Sequence, residues 1–135
     1  MTVQLSTTVR NARLDAIETA VGTAAILRIR TGAAPANCGT ADSGTVLASL
    51  TLPSDWMAAA SGGAKAMSGT WQDASADNAG TAAHWRLYDS SGTTCHAQGT
   101  ITATGGGGDM TLDNVVLAAA QQFNVTTFTL TDGNA

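Results

Sequence analysis

The hydrophobic period of this chain changes once, at Gly22, from helical to two, and the residues after it are punctuated as short strands. Before that point, Thr7 to Val21 reads as a helix, with Ser6 as its N-cap and Gly22 as its stop. At about 100° per residue, Val9, Leu14, Ala16, Ile17, Ala20 and Val21 share one arc. Thr8, Asn11, Asp15, Glu18 and Thr19 lie opposite, so the first arc is expected to pack and the second to meet water. Arg10 and Arg13 intrude on the apolar arc near the helix start. Either that end leaves the core to meet a partner, or both arginines lay their stems on the core edge and put their heads in water.

From Ala25 to Thr31, Leu27 and Ile29 point one way and Arg28 and Arg30 the other, as in a half-buried strand. Thr31 to Gly44 is a Gly-, Ala-, Pro- and Asn-containing loop, long enough to carry a contact. Val46, Ala48, Leu50 and Leu52 alternate in a second strand that Pro53-Ser54-Asp55 ends. A third strand is expected over Ala64–Trp71, then a polar loop from Gln72 to Gly80.

The clearest hairpin runs from Thr81 to Thr102, turning at Ser90-Ser91-Gly92 with Gly92 left-handed. Trp85, Leu87, Cys95, Ala97 and Ile101 are read as inward, with Leu87 opposite Cys95, and His84 and His96 as outward. Gly105–Gly108 is a turn, Met110–Asp113 a short strand and Phe123–Thr131 a final one. Only 4% of residues are aromatic although 44% are hydrophobic, so Ala, Val and Leu carry most of the packing. These signals predict an all-β fold with one N-terminal α-helix, a two-sheet β-sandwich of jelly-roll type. The whole chain, 1–135, is read as one domain, with the helix in 1–22 and the sandwich in 23–135.

The chemistry-bearing residues are sparse. Charged residues make up 12% and the net charge is −4. The six basic residues are scattered, without the cluster that neutralises several phosphates, so no nucleic-acid partner is expected. The opening residues lack the basic start and apolar run of a secretory signal, and no apolar stretch is long enough to suggest a membrane partner. Cys38 and Cys95 are expected as free thiols in a reducing cytoplasm; pairing would close a long, stabilising loop in an oxidising medium.

The acids are one Glu and nine Asp, and nearly all the Asp sit in turns or loops, where they serve the backbone. Adjacent strand positions send Cys95 and His96 to opposite faces, away from a nucleophile–base pair. His84 and His96 could at most offer two imidazoles to a metal, and the Asp73–Asn78 loop lacks the closing Glu of a calcium loop. Gly105–Gly108 has no phosphate-loop Lys. Trp56 and Trp71 remain as candidates for stacking on a sugar, provided that they are exposed. No catalytic, cofactor-binding or metal-binding residue is expected.

Taken together, the opening helix leading into Leu27–Gly32, the Gly44–Pro53 strand, the Trp85–Asp89 hairpin and the Phe123–Thr131 end strand resemble small structural virion proteins of tailed bacteriophages. The resemblance spans nearly the whole chain as a pattern of segments and brings no catalytic residues with it. It implies a non-enzymatic capsid decoration or cement protein, made in the host cytoplasm and carried in the virion, that binds itself as a homotrimer and the major capsid protein. A neck, tail or baseplate component is the alternative it implies. A carbohydrate-binding module is the alternative from the tryptophans. The expected assembly contacts are Arg10 and Arg13, Pro35 and Asn37 in the long loop, and Asp73 and Asp77 in the acidic one.

Overall fold

The computed structural model describes residues 2–134. Ser6 caps helix α1 (Thr7–Val21) by accepting a hydrogen bond from the Val9 N–H at 3.3 Å. Gly22 ends it at φ 87°, its N–H donating to the Glu18 carbonyl. Among the described residues eleven short strands follow: β1 (Ile26–Arg30), β2 (Val46–Thr51), β3 (Ala64–Ala66), β4 (Trp71–Asp73), β5 (Gly80–Thr81), β6 (His84–Tyr88), β7 (Cys95–Ala103), β8 (Met110–Leu112), β9 (Val116–Leu117), β10 (Phe123–Val125) and β11 (Thr129–Thr131). The protein is therefore strand-rich with a single N-terminal helix, as its periodicity predicts.

Five strands form one sheet in the order β2-β1-β6-β7-β8. All its pairings are antiparallel except β7 with β8, which run parallel with Ile101 beside Met110. A parallel return normally needs a dozen residues or more. Here the tetraglycine segment makes it in fewer, with Gly105 and Gly107 at φ 88° and 79°.

The segments expected as single strands at Ala64–Trp71 and Phe123–Thr131 are each broken in two. β3 pairs with β11 and β4 with β10, and the Met67 N–H donates to the Phe128 carbonyl between the two ladders. The break lets Phe128 turn inward: its ring lies 5.4 Å from that of Trp71 and 5.3 Å from that of Trp85. Among the described residues, the strands outside the main sheet thus pair as two-stranded ladders and not as a second continuous sheet, with β5 and β9 forming another such pair.

The inner face of the main sheet buries Leu27, Ile29, Trp85, Leu87 and Ile101 against Trp56, Trp71, Phe123 and Val125. Hairpin parity holds where Trp85 faces Gly99 and Leu87 faces Ala97. A bulge then sets Cys95 opposite Tyr88, not Leu87, and so moves the thiol off the inner face. Gly92 adopts φ 70° as the turn requires.

The helix packs differently from its hydrophobic arc. Leu14 and Val21 are buried, but Val9, Ala16 and Ala20 are exposed. The supposed solvent face supplies the acceptors instead. Asn11 Oδ1 accepts from the Gly63 N–H, Asp15 Oδ1 from the Ala60 N–H and Glu18 Oε1 from the Met57 N–H. The segment from Met57 to Gly63 has backbone donors that its short ladders leave over, and a buried N–H must find a partner. Lys65, 3% exposed, spends its ammonium on Asp15, Glu18 and the Ala58 carbonyl.

The loop between β1 and β2 is anchored at Gly44, where φ is 70° and a Cβ would lie 1.9 Å from the Thr31 carbonyl oxygen. Gly44→Ala is expected to destabilise the protein by about 2–3 kcal/mol, since both φ and space forbid the methyl group. Gly133, with open space around its Cβ position and no left-handed φ, serves as the control and should change by less than about 0.5 kcal/mol. Urea unfolding of both variants checks this; equal midpoints would mean that the loop anchor is soft.

Candidate functional site

The densest chemistry lies on the outer face of the main sheet. Alternation sends Arg28 and Arg30 of β1 and His84, Arg86 and Tyr88 of β6 to one side, and register sets Arg28 beside Arg86 and Arg30 beside His84. Sequence reading gives that face to water. The loop from Ala33 to Gly44 covers it instead, leaving Arg86 1%, Arg30 6% and His84 0% exposed.

Charge explains why the loop stays. Asp42 Oδ2 accepts from Arg30 Nη2 at 2.7 Å, while Oδ1 accepts from Arg86 Nη1 and, at 2.6 Å, from the Tyr88 hydroxyl. Arg86 also donates to the carbonyls of Thr40 and Cys38 and, through Nε, to Cys95 Sγ at 3.2 Å. Its planar fork is thereby saturated from three directions. Gln98 adds a bond to the Pro35 carbonyl, and His84 Nδ1 donates to the Gly32 carbonyl at 2.7 Å. Arg28 donates to the Gly92 carbonyl and lies over the Tyr88 ring, 4.7 Å from its centroid.

These contacts set the ionisation of the cluster. Burial opposes charge on Asp42, but the Tyr88 hydrogen bond and the two guanidinium ions outweigh it and hold the carboxyl below its usual range. Burial, with the Asp42 hydrogen bond, pushes the Tyr88 hydroxyl up and keeps it a donor. Burial also pushes the Cys95 thiol up; the Cys38 side chain acts in the same direction and Arg86 in the opposite one. A cavity of about 290 Å³ lined by Cys38, Asp42, Arg86, Tyr88, Thr93 and Cys95 opens beside the cluster.

The six residues expected as assembly contacts fall in three separate places, and each pair is tied to its own chain. Arg10 donates to the Asp132 carbonyl and Arg13 pairs with the Asp132 carboxylate at 3.2 Å, so both pin the C-terminal segment to the helix. Pro35 and Asn37 lie in the covering loop, where the Asn37 carbonyl accepts from Arg86. Asp73 accepts from the Ser49 and Ser75 N–H groups, and Asp77 stays exposed while its own N–H donates to Leu47.

Burial bears on two alternatives that the sequence leaves open. His84 is enclosed and faces Thr100, and Arg86 faces Gln98, so His84 and His96 form no outward pair for a metal. Trp56 and Trp71 are 0% and 1% exposed and pack against each other at a tilt of 52° within the core, so neither offers a face to a sugar. Sequence reading missed Asp42 as the partner of both arginines. The available signal was three arginines at alternating positions of neighbouring strands, a spacing that demands an acid from elsewhere. Comparison of the chain with models of known protein families, with curated proteins and with solved structures gives no significant match in any of the three.

Proposed function

We propose that this protein acts by binding alone, as a structural subunit of a tailed-phage virion, and specifically as a trimeric decoration protein on the capsid lattice. What supports the reading, beside the resemblance in its segments, is the use of its positive charge. Each of the six basic residues is bonded within the chain: Arg10 and Arg13 to Asp132, Arg28 to Gly92, Arg30 and Arg86 to Asp42, and Lys65 to Asp15 and Glu18. The surface left to partners carries hydroxyls, backbone, small apolar groups and exposed carboxylates such as Asp55, Asp77 and Asp113, with Val3, Val9 and Val116 exposed. Such contacts are weak singly and add up when symmetry repeats them. Within this reading the two packed layers are a jelly-roll-like sandwich whose second sheet is broken into ladders.

Light scattering over a range of concentrations, followed by sedimentation with expanded capsids of the encoding phage, tests the proposal. A mass of three chains and saturable capsid binding support it. A ring of six or more would move the protein to the neck or tail. A monomer that ignores capsids overturns the reading.

A further inference from the structure

Cys38 and Cys95 belong to different parts of the chain, the covering loop and the start of β7, yet one guanidinium engages both. Arg86 Nε lies 3.2 Å from Cys95 Sγ, and Arg86 Nη2 lies 2.8 Å from the Cys38 carbonyl oxygen. Both cysteines line the same open cavity and both are half-buried, so a small reagent can reach them. The Cys38 side chain also helps to push the Cys95 thiol up. The bulge in the hairpin is what creates this meeting, because unbroken alternation would have turned Cys95 into the core.

We propose that Cys38 and Cys95 form an intramolecular disulfide when the protein meets a small-molecule disulfide, covalently fastening the covering loop to the main sheet. The inference stands on this cluster and not on the virion reading. One protein thiolate, held beside Arg86 in the case of Cys95, attacks a sulfur of the reagent, forming a mixed disulfide and expelling one reagent thiolate. The second protein thiolate attacks the protein sulfur of that mixed disulfide and expels the other. Two protein thiols are oxidised, one reagent disulfide is reduced, and the two thiol protons pass to the departing thiolates. The bond fixes the loop that carries Asp42, and it constrains the unfolded chain across a long segment.

The test is to incubate the folded protein with oxidised glutathione and to follow intact mass, peptide mapping and thermal unfolding. The expected product is a monomeric chain lighter by two hydrogens, with Cys38 and Cys95 in one cross-linked peptide. Its Tm should rise by about 5–10 °C, and dithiothreitol should reverse the rise. Cys38→Ser should stop at a stable glutathione adduct on Cys95, and Cys95→Ser should lose the cross-link. Retention of both thiols, persistent double adducts in the parent protein, or cross-linking only between chains would overturn the proposal.

Discussion

Asp42→Ala is expected to lower the stability of the protein by about 3 kcal/mol, equivalent to a fall in Tm of roughly 10 °C. The carboxylate is the acid that meets both Arg30 and Arg86, whose side chains are 7% and 1% exposed. Removing it leaves two buried positive charges facing each other's field with only carbonyls and a sulfur for company. The penalty of an uncompensated buried charge exceeds the worth of the ion pair itself. Because Asp42 is 36% exposed, water can enter the vacated space, which places the loss near the lower end of the range for a broken buried pair. Tyr88→Phe removes one hydrogen bond to the same oxygen and should cost only about 1 kcal/mol.

The acid limb of stability carries the same signature with a definite sign. Asp42 has a native value below its ordinary 3.8, so its contribution is complete above that ordinary value and is lost as pH falls through the lower native one. Asp15, Asp89 and Asp109 are held low as well, so the parent protein alone does not isolate the effect. The difference in unfolding free energy between the parent and Asp42→Asn should therefore be constant near neutrality and shrink below about pH 4. A difference that stays flat down to pH 2, or an Asp42→Ala variant as stable as the parent, would mean that the covering loop is held by its carbonyl contacts alone.

Trp71→Ala should cost about 4 kcal/mol, the other large effect expected of a single substitution. The side chain is 1% exposed, its ring centroid lies 6.1 Å from that of Trp56 and 5.4 Å from that of Phe128, and it joins the ladder layer to the rest of the core. Its Nε1–H donates to the carbonyls of Trp56 and Ser68. Truncation opens a cavity among aromatic rings and strips Ser68 of that partner. Trp71→Phe, which keeps most of the ring and loses the N–H, should cost about half as much. Guanidinium unfolding followed by tryptophan fluorescence separates this from the outcome for an exposed ring, a loss below about 0.5 kcal/mol.

Local signals decided what the sequence could determine by itself. The helix from Thr7 to Val21 rests on a cap three residues from its bond partner and on a glycine at its end, and both were legible. So were the alternation of β1 and β6, the left-handed Gly92 and the strand content of the chain, whereas the three-residue turn expected at Ser90–Gly92 gives way to a longer one closed between Asp89 and Thr94. Only the tertiary structure decided which faces meet water. Arg86 and Asp42 are 44 residues apart in the chain, and Lys65 and Asp15 are 50 apart. Alternation shows that Arg86 opposes Leu87 across the strand, but it is silent on whether solvent or a distant loop covers the arginine. The same holds for the helix, whose polar row turned inward to meet backbone donors that its own residues do not reveal. A cap or a period is an interaction between near neighbours, whereas burial of charge is a balance between desolvation and partners that folding alone brings within reach.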